Sequence, residues 1–356
     1  MASRAPGTSE RYDAEELRAY ARRTLERVGI DAELASPMAD RLLDGDLLGH
    51  RSHGLWFLST YLRRISDGHI RGSGEIEVVH ASAASASWRA HRLPGAWVMD
   101  EATRLILKQI TSEPVVTVTI ADCSHIGCLQ SFLLPFTDRG LLAILTATNP
   151  GVASVAAPGG SRPVITTNPI AMGIPTRSEP ILVDQCTSVA SNALFESYAE
   201  RGERLPGQWL LDATGRPTDD PQVLRQDPPG TIQSLGQADF GYKGFGFGLM
   251  SEALSLALPG YGRRDNPDRH GQGVFLQVID PGRFAGTDDY FDELDHLVGS
   301  IRADPGVGGE GVRLPGERAL RSRAEQLADG IALHPDTPGR LRPWSDELGV
   351  PFPRPR

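Results

Sequence analysis

A chain of 356 residues can bury a large core and reads as one elaborate domain or two to three lobes, which sets aside a small peptide-like binding module. Its 45 acidic residues against 36 basic ones, with no block of Lys or Arg, leave no electrostatic footprint for nucleic acid or an anionic membrane, so a small-molecule partner is expected. No apolar run approaches the ~18 residues of a membrane span, no secretory signal is evident, and an odd set of cysteines, Cys123, Cys128 and Cys186, argues against a disulfide framework; these point to the cytoplasm.

In chain order, Asp13 with Glu16 resembles a capping box opening a helix that Gly29 closes, and a second helix follows Asp31. The apolar pattern is then interrupted by His50, Ser52 and His53 and resumes at Leu55 in a third helix ending at Gly68. The N-terminal lobe is therefore helical, and Ser52-His53-Gly54 lies at a junction between helices. Such polar residues between apolar stretches must find partners or serve a purpose. A lone histidine is more often structural than catalytic. As chemistry, a histidine near its ordinary pKa is the natural proton donor or acceptor at neutral pH, and Asp184, ending a strand, is a candidate to orient it.

From Glu75 the texture becomes β-branched runs alternating with helices and Gly/Pro loops, whose polar strand ends are where ligands gather in open α/β sheets. "CSHIGC" at 123–128 invites a metal through Cys123, His125 and Cys128, yet no second Cys/His cluster completes a structural zinc site, so no metal is expected and the segment reads as a strand end lining a cleft. "WLLDATGRPTDDP" reads as a surface excursion. No G-x-G-x-x-G, Walker loop or nucleophile elbow is present. "YKGFGFG" puts Lys243, one of only two lysines in the chain, before Gly244 at a helix start, where a phosphate would be favoured; helix-packing glycines are the alternative. "RLPGERAL" brings Pro315, Gly316 and Glu317 to another helix start, which by itself is ordinary capping.

Taken in order, "SHG", "CSHIG", "TNP" at 148–150 and 167–169, "VDQCTS", "WLLDATGRPTDDP", "YKGFG" and "RLPGERALRSR" resemble the type 2 malate/L-lactate dehydrogenase family over residues 13–350. The resemblance implies a non-Rossmann α/β fold of the sulfolactate dehydrogenase type: a mixed sheet, flanking helices and a helical N-terminal lobe. It implies a homodimer using NAD or NADP to pass a hydride to or from a 2-oxo or 2-imino acid. It divides the chain into a substrate lobe over 1–112, a cofactor-binding domain over 113–300, and a segment, 301–356, that packs back on the first lobe. By the same resemblance His53 moves the proton, with Ser52 beside it, Asp184 orienting it and His125 near cofactor and substrate. Thr187, Ser188, Lys243, Gly244, Pro315, Gly316 and Glu317 contact the cofactor, while Tyr61, Phe57, Thr148 and Asn149 face the substrate.

Three departures matter. The family arginine four residues after the histidine, which pairs with the substrate carboxylate, is Phe57 here; the Gly-Lys after the T-S segment is Ala193-Leu194; and Gly-Tyr-Tyr after the second histidine is Gln130-Ser131-Phe132. They predict a more apolar pocket and a bulkier, less acidic carbonyl or imine than malate or lactate, such as a biosynthetic intermediate. Non-redox acid/base chemistry in the same pocket, and a catalytically silent binding partner, are the competing readings.

Overall fold

The computed structural model describes residues 10–265, 267–309 and 311–356. Helices α1 (Ala14–Arg27), α2 (Ala32–Leu47), α3 (Leu58–Ser66) and α4 (Gly95–Gln109) are followed by α5 (Leu134–Thr137), α6 (Asn192–Arg201), α7 (Gln237–Glu252), α8 (Thr287–Arg302), α9 (Glu317–Asp329) and α10 (Thr337–Leu348). Strands β1 (Glu77–Ala81), β2 (Ser85–Arg89), β3 (Val115–Cys123) and β4 (Leu142–Thr148) precede β5 (Val155–Ala156), β6 (Pro163–Ile165), β7 (Ile170–Ile174) and β8 (Ile181–Gln185). The remaining strands are β9 (Leu210–Leu211), β10 (Pro217–Thr218), β11 (Thr231–Ile232) and β12 (Gln272–Ile279).

Local signals explain the N-terminal helices. The Asp13 carboxylate accepts the amide N–H groups of Glu15 and Glu16 at 2.8 and 3.0 Å, satisfying donors that the first turn of α1 leaves free. Leu17, Tyr20, Ala21, Thr24 and Leu25, three to four residues apart, form its buried face.

Seven strands form the main sheet in the order β1-β2-β3-β12-β4-β7-β8. Only β2 and β3 run parallel, so the sheet is mixed, as expected. Central β12 has helices and strands on both sides and is almost wholly apolar: Val274, Leu276 and Val278 are fully buried. A second sheet, β10-β9-β11-β5-β6, packs around its own core of Phe195, Leu205, Leu210 and Ile232.

One sequence expectation changes. Residues 209–221 contain β9 and β10, a hairpin of the second sheet with Leu210 in its core, rather than a surface excursion. Strands β2 and β3 pair in one sheet, so hydrogen bonding continues from one side of residue 112 to the other. Helix α10 went unread because Pro338 and Pro343 argue against a helix; it starts with the first at its N-terminal turn and tolerates the second inside. The C-terminal helices rest on the N-terminal lobe, with Tyr20 Oη 2.8 Å from Ser345 Oγ and the Gln326 amide donating to the carbonyls of Asp46 and Leu47. No described helix is long and apolar enough to cross a membrane.

Candidate active site

The Ser-His-Gly turn is built by the end of α2. After it come two single turns of 3-10 helix, Arg51–His53 and Leu55–Phe57, then α3. The buried Asp46 carboxylate accepts the Leu55 N–H at 2.7 Å and pins the second turn. A side chain on Gly54 would put its Cβ 2.4 Å from the Asp46 carboxyl carbon, and one on Gly45 would lie 2.7 Å from the His53 carbonyl oxygen. Glycine is therefore required on both sides of the contact. Burial raises the Asp46 pKa to about 7, against the lowering effect of the Leu55 amide and Arg51.

This turn delivers His53 to a cavity of about 450 Å³, which the ends of β4 and β8 and the loop after β3 also line. Ser52 Oγ lies 3.1 Å from His53 Nδ1, so the neighbour in sequence is also the neighbour in space, and Nε2 is left for the cavity. The His53 and His125 rings are stacked at 5.7 Å with 25° between planes. Tyr61 fixes His125 from behind. Its hydroxyl donates to the His125 carbonyl at 3.1 Å and lies 2.9 Å from Nδ1. The hydroxyl thus holds the His125 ring from its Nδ1 side and leaves Nε2 free of this contact. Burial, then the neighbouring His50, lowers the His53 pKa to about 4. Burial, then His53 and Arg64, holds His125 well below its ordinary value. Both rings are neutral near pH 7.

Asp184 lines the same cavity, but among the described residues it makes no hydrogen bond to His53. It sits instead with His50 and Cys128, whose ligand-type atoms lie with its own within 4.8 Å of one another. Burial raises its pKa to about 6 against His50 and the Gln130 amide. His50 Nε2 is 3.1 Å from Gln130 Oε1. The orienting contact expected from Asp184 is thus made by Ser52. The "CSHIGC" trio does not assemble, because Cys123 is buried and His125 is engaged by Tyr61.

Of the substrate-side residues, Phe57 lines the cavity, its ring 4.9 Å from that of His125. Asn149 lines it too, with both amide ends used, by the Arg269 carbonyl and the Gly151 N–H. Thr148 does not: its hydroxyl is buried against Ser251 and Ser255 at 3.0 and 2.7 Å. Thr187 and Ser188 stand behind the wall, their hydroxyls donated to the carbonyls of Thr167 and Ala190. The cavity wall there is Ser191, Asn192 and Ala193 at the start of α6, an end that favours anions.

Gly244 is a packing glycine, since a Cβ would lie 2.4 Å from the Leu235 carbonyl oxygen. Lys243 is exposed just after a kink at Phe240, its ammonium 4.8 Å from that ring, outside the cavity. Pro315 and Gly316 pack on Leu182, whose N–H the Pro315 carbonyl accepts, and Glu317 pairs with Arg302 at 2.9 Å. Sequence reading missed Asp46, His50 as partner of Asp184, and Arg64, which also lines the cavity. The available signals were the Gly-Asp pair at 45–46 and the arginine seven residues after Phe57.

Residues 12–342 match the malate/L-lactate dehydrogenase family. The malate/(S)-sulfolactate dehydrogenase of Methanothermus fervidus is 28% identical over 344 residues, covering 94% of this chain and 97% of its own. The structure of delta1-piperideine-2-carboxylate reductase from Pseudomonas syringae pvar. tomato superposes with a TM-score of 0.83 at 25% identity, covering 94% of this chain and all of that one. Sulfolactate dehydrogenase from Methanocaldococcus jannaschii shares the fold, with a TM-score of 0.82 at 24% identity and coverage of 96% and 98%. The chain belongs to the malate/L-lactate dehydrogenase family of oxidoreductases and has its sulfolactate dehydrogenase type of fold.

Proposed function

We propose that this family member is an NAD(P)-dependent oxidoreductase that moves a hydride to or from the carbonyl or imine carbon of a small organic acid, with His53 moving the proton. The observation that carries the reading is the half-buried His53 ring, held at Nδ1 by Ser52 and turned to a cavity whose volume suits a small molecule. The site fits the nicotinamide end of such a cofactor: two neutral stacked imidazoles lie within it, and the anion-favouring start of α6 forms part of its wall. When bound, the nicotinamide supplies or accepts the hydride.

The chain's own residues do the rest. Neutral His53 can take the proton of a hydroxyl or amine as it is oxidised. For the reverse reaction it must first be charged, and an anion bound beside it lowers the cost. Phe57, Ile126 and Leu129 line the cavity and limit water around the reacting carbon. Thr187, Ser188, Lys243, Gly244, Pro315, Gly316 and Glu317 hold the cofactor in this proposal, by resemblance. Phe57 and Leu194 in place of charged residues favour a bulkier substrate than malate or lactate, in keeping with a biosynthetic role.

The enzyme would act as a homodimer in the cytoplasm. Free thiols at Cys123, Cys128 and Cys186 suit a reducing compartment. Helix α7 turns Gly241, Gly244, Gly248 and Ser251 inward and leaves Tyr242, Phe247, Leu249 and Met250 48–59% exposed, an apolar face of the kind that marks an interface.

Calorimetry with NADH and NADPH separately, followed by nicotinamide absorbance with a panel of 2-oxo and cyclic 2-imino acids, tests the proposal. One cofactor should bind, Lys243→Ala should weaken it, and His53→Ala should abolish turnover. Binding of neither would leave non-redox acid/base chemistry or a silent binding role.

A further inference from the structure

Phe57 removes the expected carboxylate partner from the cavity, yet a positive charge is still there. Arg64 lies seven residues further on, two helical turns along the same face. Its guanidinium carbon is over the Phe57 ring, 5.7 Å from the centroid, and its side chain lines the same cavity as His53 and His125. Among the described lining residues it is the only Lys or Arg.

Arg64 also lacks a counter-ion. Other half-buried arginines have carboxylate partners, Arg41 with Asp100 at 2.6 Å, Arg263 with Glu252 at 2.7 Å and Arg92 with Asp268 at 2.5 Å, or, like Arg340, a hydroxyl and an aromatic face outside the cavity. No described carboxylate pairs with Arg64; the ionisable groups that act on it are Tyr61, Arg269, His125 and His270, none of them a carboxylate. A half-buried guanidinium with no anion loses hydration without compensation, and a bound anion restores the balance. Asp184, the acidic residue on the wall, lies beside His50, within 4.8 Å of its ring nitrogen.

We infer that Arg64 is the anion anchor of this cavity and takes the substrate carboxylate that the missing arginine at 57 would have held. With one cation on the wall, the site suits a monocarboxylate. A second carboxylate, as in malate, would find no second Lys or Arg on the wall. The Phe57 face beside the guanidinium suits a planar or apolar body, so the substrate class is a monocarboxylic 2-oxo acid or a cyclic 2-imino acid. This substrate class rests on the oxidoreductase proposal above; the anion anchor itself does not.

The test titrates pyrrole-2-carboxylate, a planar non-reducible carboxylate, and its neutral isostere pyrrole-2-carboxamide into the protein, with and without saturating NADH or NADPH. The carboxylate should bind about tenfold or more tighter than the amide. Arg64→Gln should weaken the carboxylate by about tenfold to a hundredfold and the amide less than about twofold, and Arg64→Lys should retain part of the preference. Phe57→Arg added to Arg64→Gln should return carboxylate binding. An unchanged carboxylate affinity in Arg64→Gln, or no carboxylate preference in the parent, overturns the anchor. If neither nucleotide binds but the Arg64-dependent preference persists, the anchor stands and the redox reading falls. Nucleotide binding with a carboxylate preference indifferent to Arg64 removes the anchor and leaves the redox reading in place.

Discussion

At the scale of single residues, the site depends on groups whose charge burial suppresses. His53 is neutral until the pH approaches about 4. In the oxidation direction it is therefore a competent base over the whole neutral range. The expected kcat/KM for oxidation has no inflection from a histidine between pH 8 and 6 and falls only towards pH 4. Any inflection near pH 6 belongs to Asp184 and should vanish in Asp184→Asn. His53→Gln should lower kcat by about 10²–10⁴ while leaving the nucleotide Kd within about twofold. An ordinary histidine inflection near 6.5 that survives in Asp184→Asn would refute the assignment. Asp46 allows a stability prediction. Its folded pKa, about 7, exceeds the unfolded value of 3.8, so its contribution is fully present below about pH 4 and is lost as the pH rises through 7. Buried histidines act in the opposite sense, so the quantity to measure is the difference in Tm between Asp46→Asn and the parent. That difference should move in favour of the variant from pH 5 to pH 8, and a flat difference would show that Asp46 is ionised throughout.

At the scale of elements, legibility followed the strength of the local pattern. Helix α1 was readable because Asp13 and a clean apolar face both mark it. Strands β9 and β10 have two residues each, too few to show an alternation, and become strands only because β11 pairs with β9. Helix α7 was readable as apolar, but not as inverted, with small residues inward and bulky ones outward. Its glycines looked like a phosphate cradle and are, at 244 and 248, sites where a Cβ would meet Leu235 or Ile165 at 2.4 and 2.7 Å. An interface on that face predicts that Phe247→Asp or Met250→Arg converts a dimer to a monomer by light scattering, with little change in far-UV circular dichroism. A parent protein that is monomeric, or variants that remain dimeric, would remove α7 from the interface.

At the scale of the whole molecule, the site draws its residues from chain segments more than a hundred residues apart, and no local pattern could announce which of them meet. Ser52 beside His53 was legible; Asp184 beside His50 rather than His53 was not, because that choice is set by how β8 packs against the turn after α2. The same logic extends to the C-terminus. Buried Gln326 in α9 donates to the carbonyls of Asp46 and Leu47 at 2.7 and 3.0 Å and accepts the Ala332 N–H at 3.1 Å. Asp46 in turn fixes the turn that carries His53. Gln326→Leu keeps the bulk but strands these backbone groups, each costing about 1–3 kcal/mol when buried and unpaired. The expected loss is about 2–4 kcal/mol, visible as a lower Tm, with a fall in kcat and an unchanged nucleotide Kd, because the damage reaches His53 through Asp46 and spares the proposed cofactor contacts. A Tm loss with unaltered kcat would mean that α9 supports the fold without positioning His53.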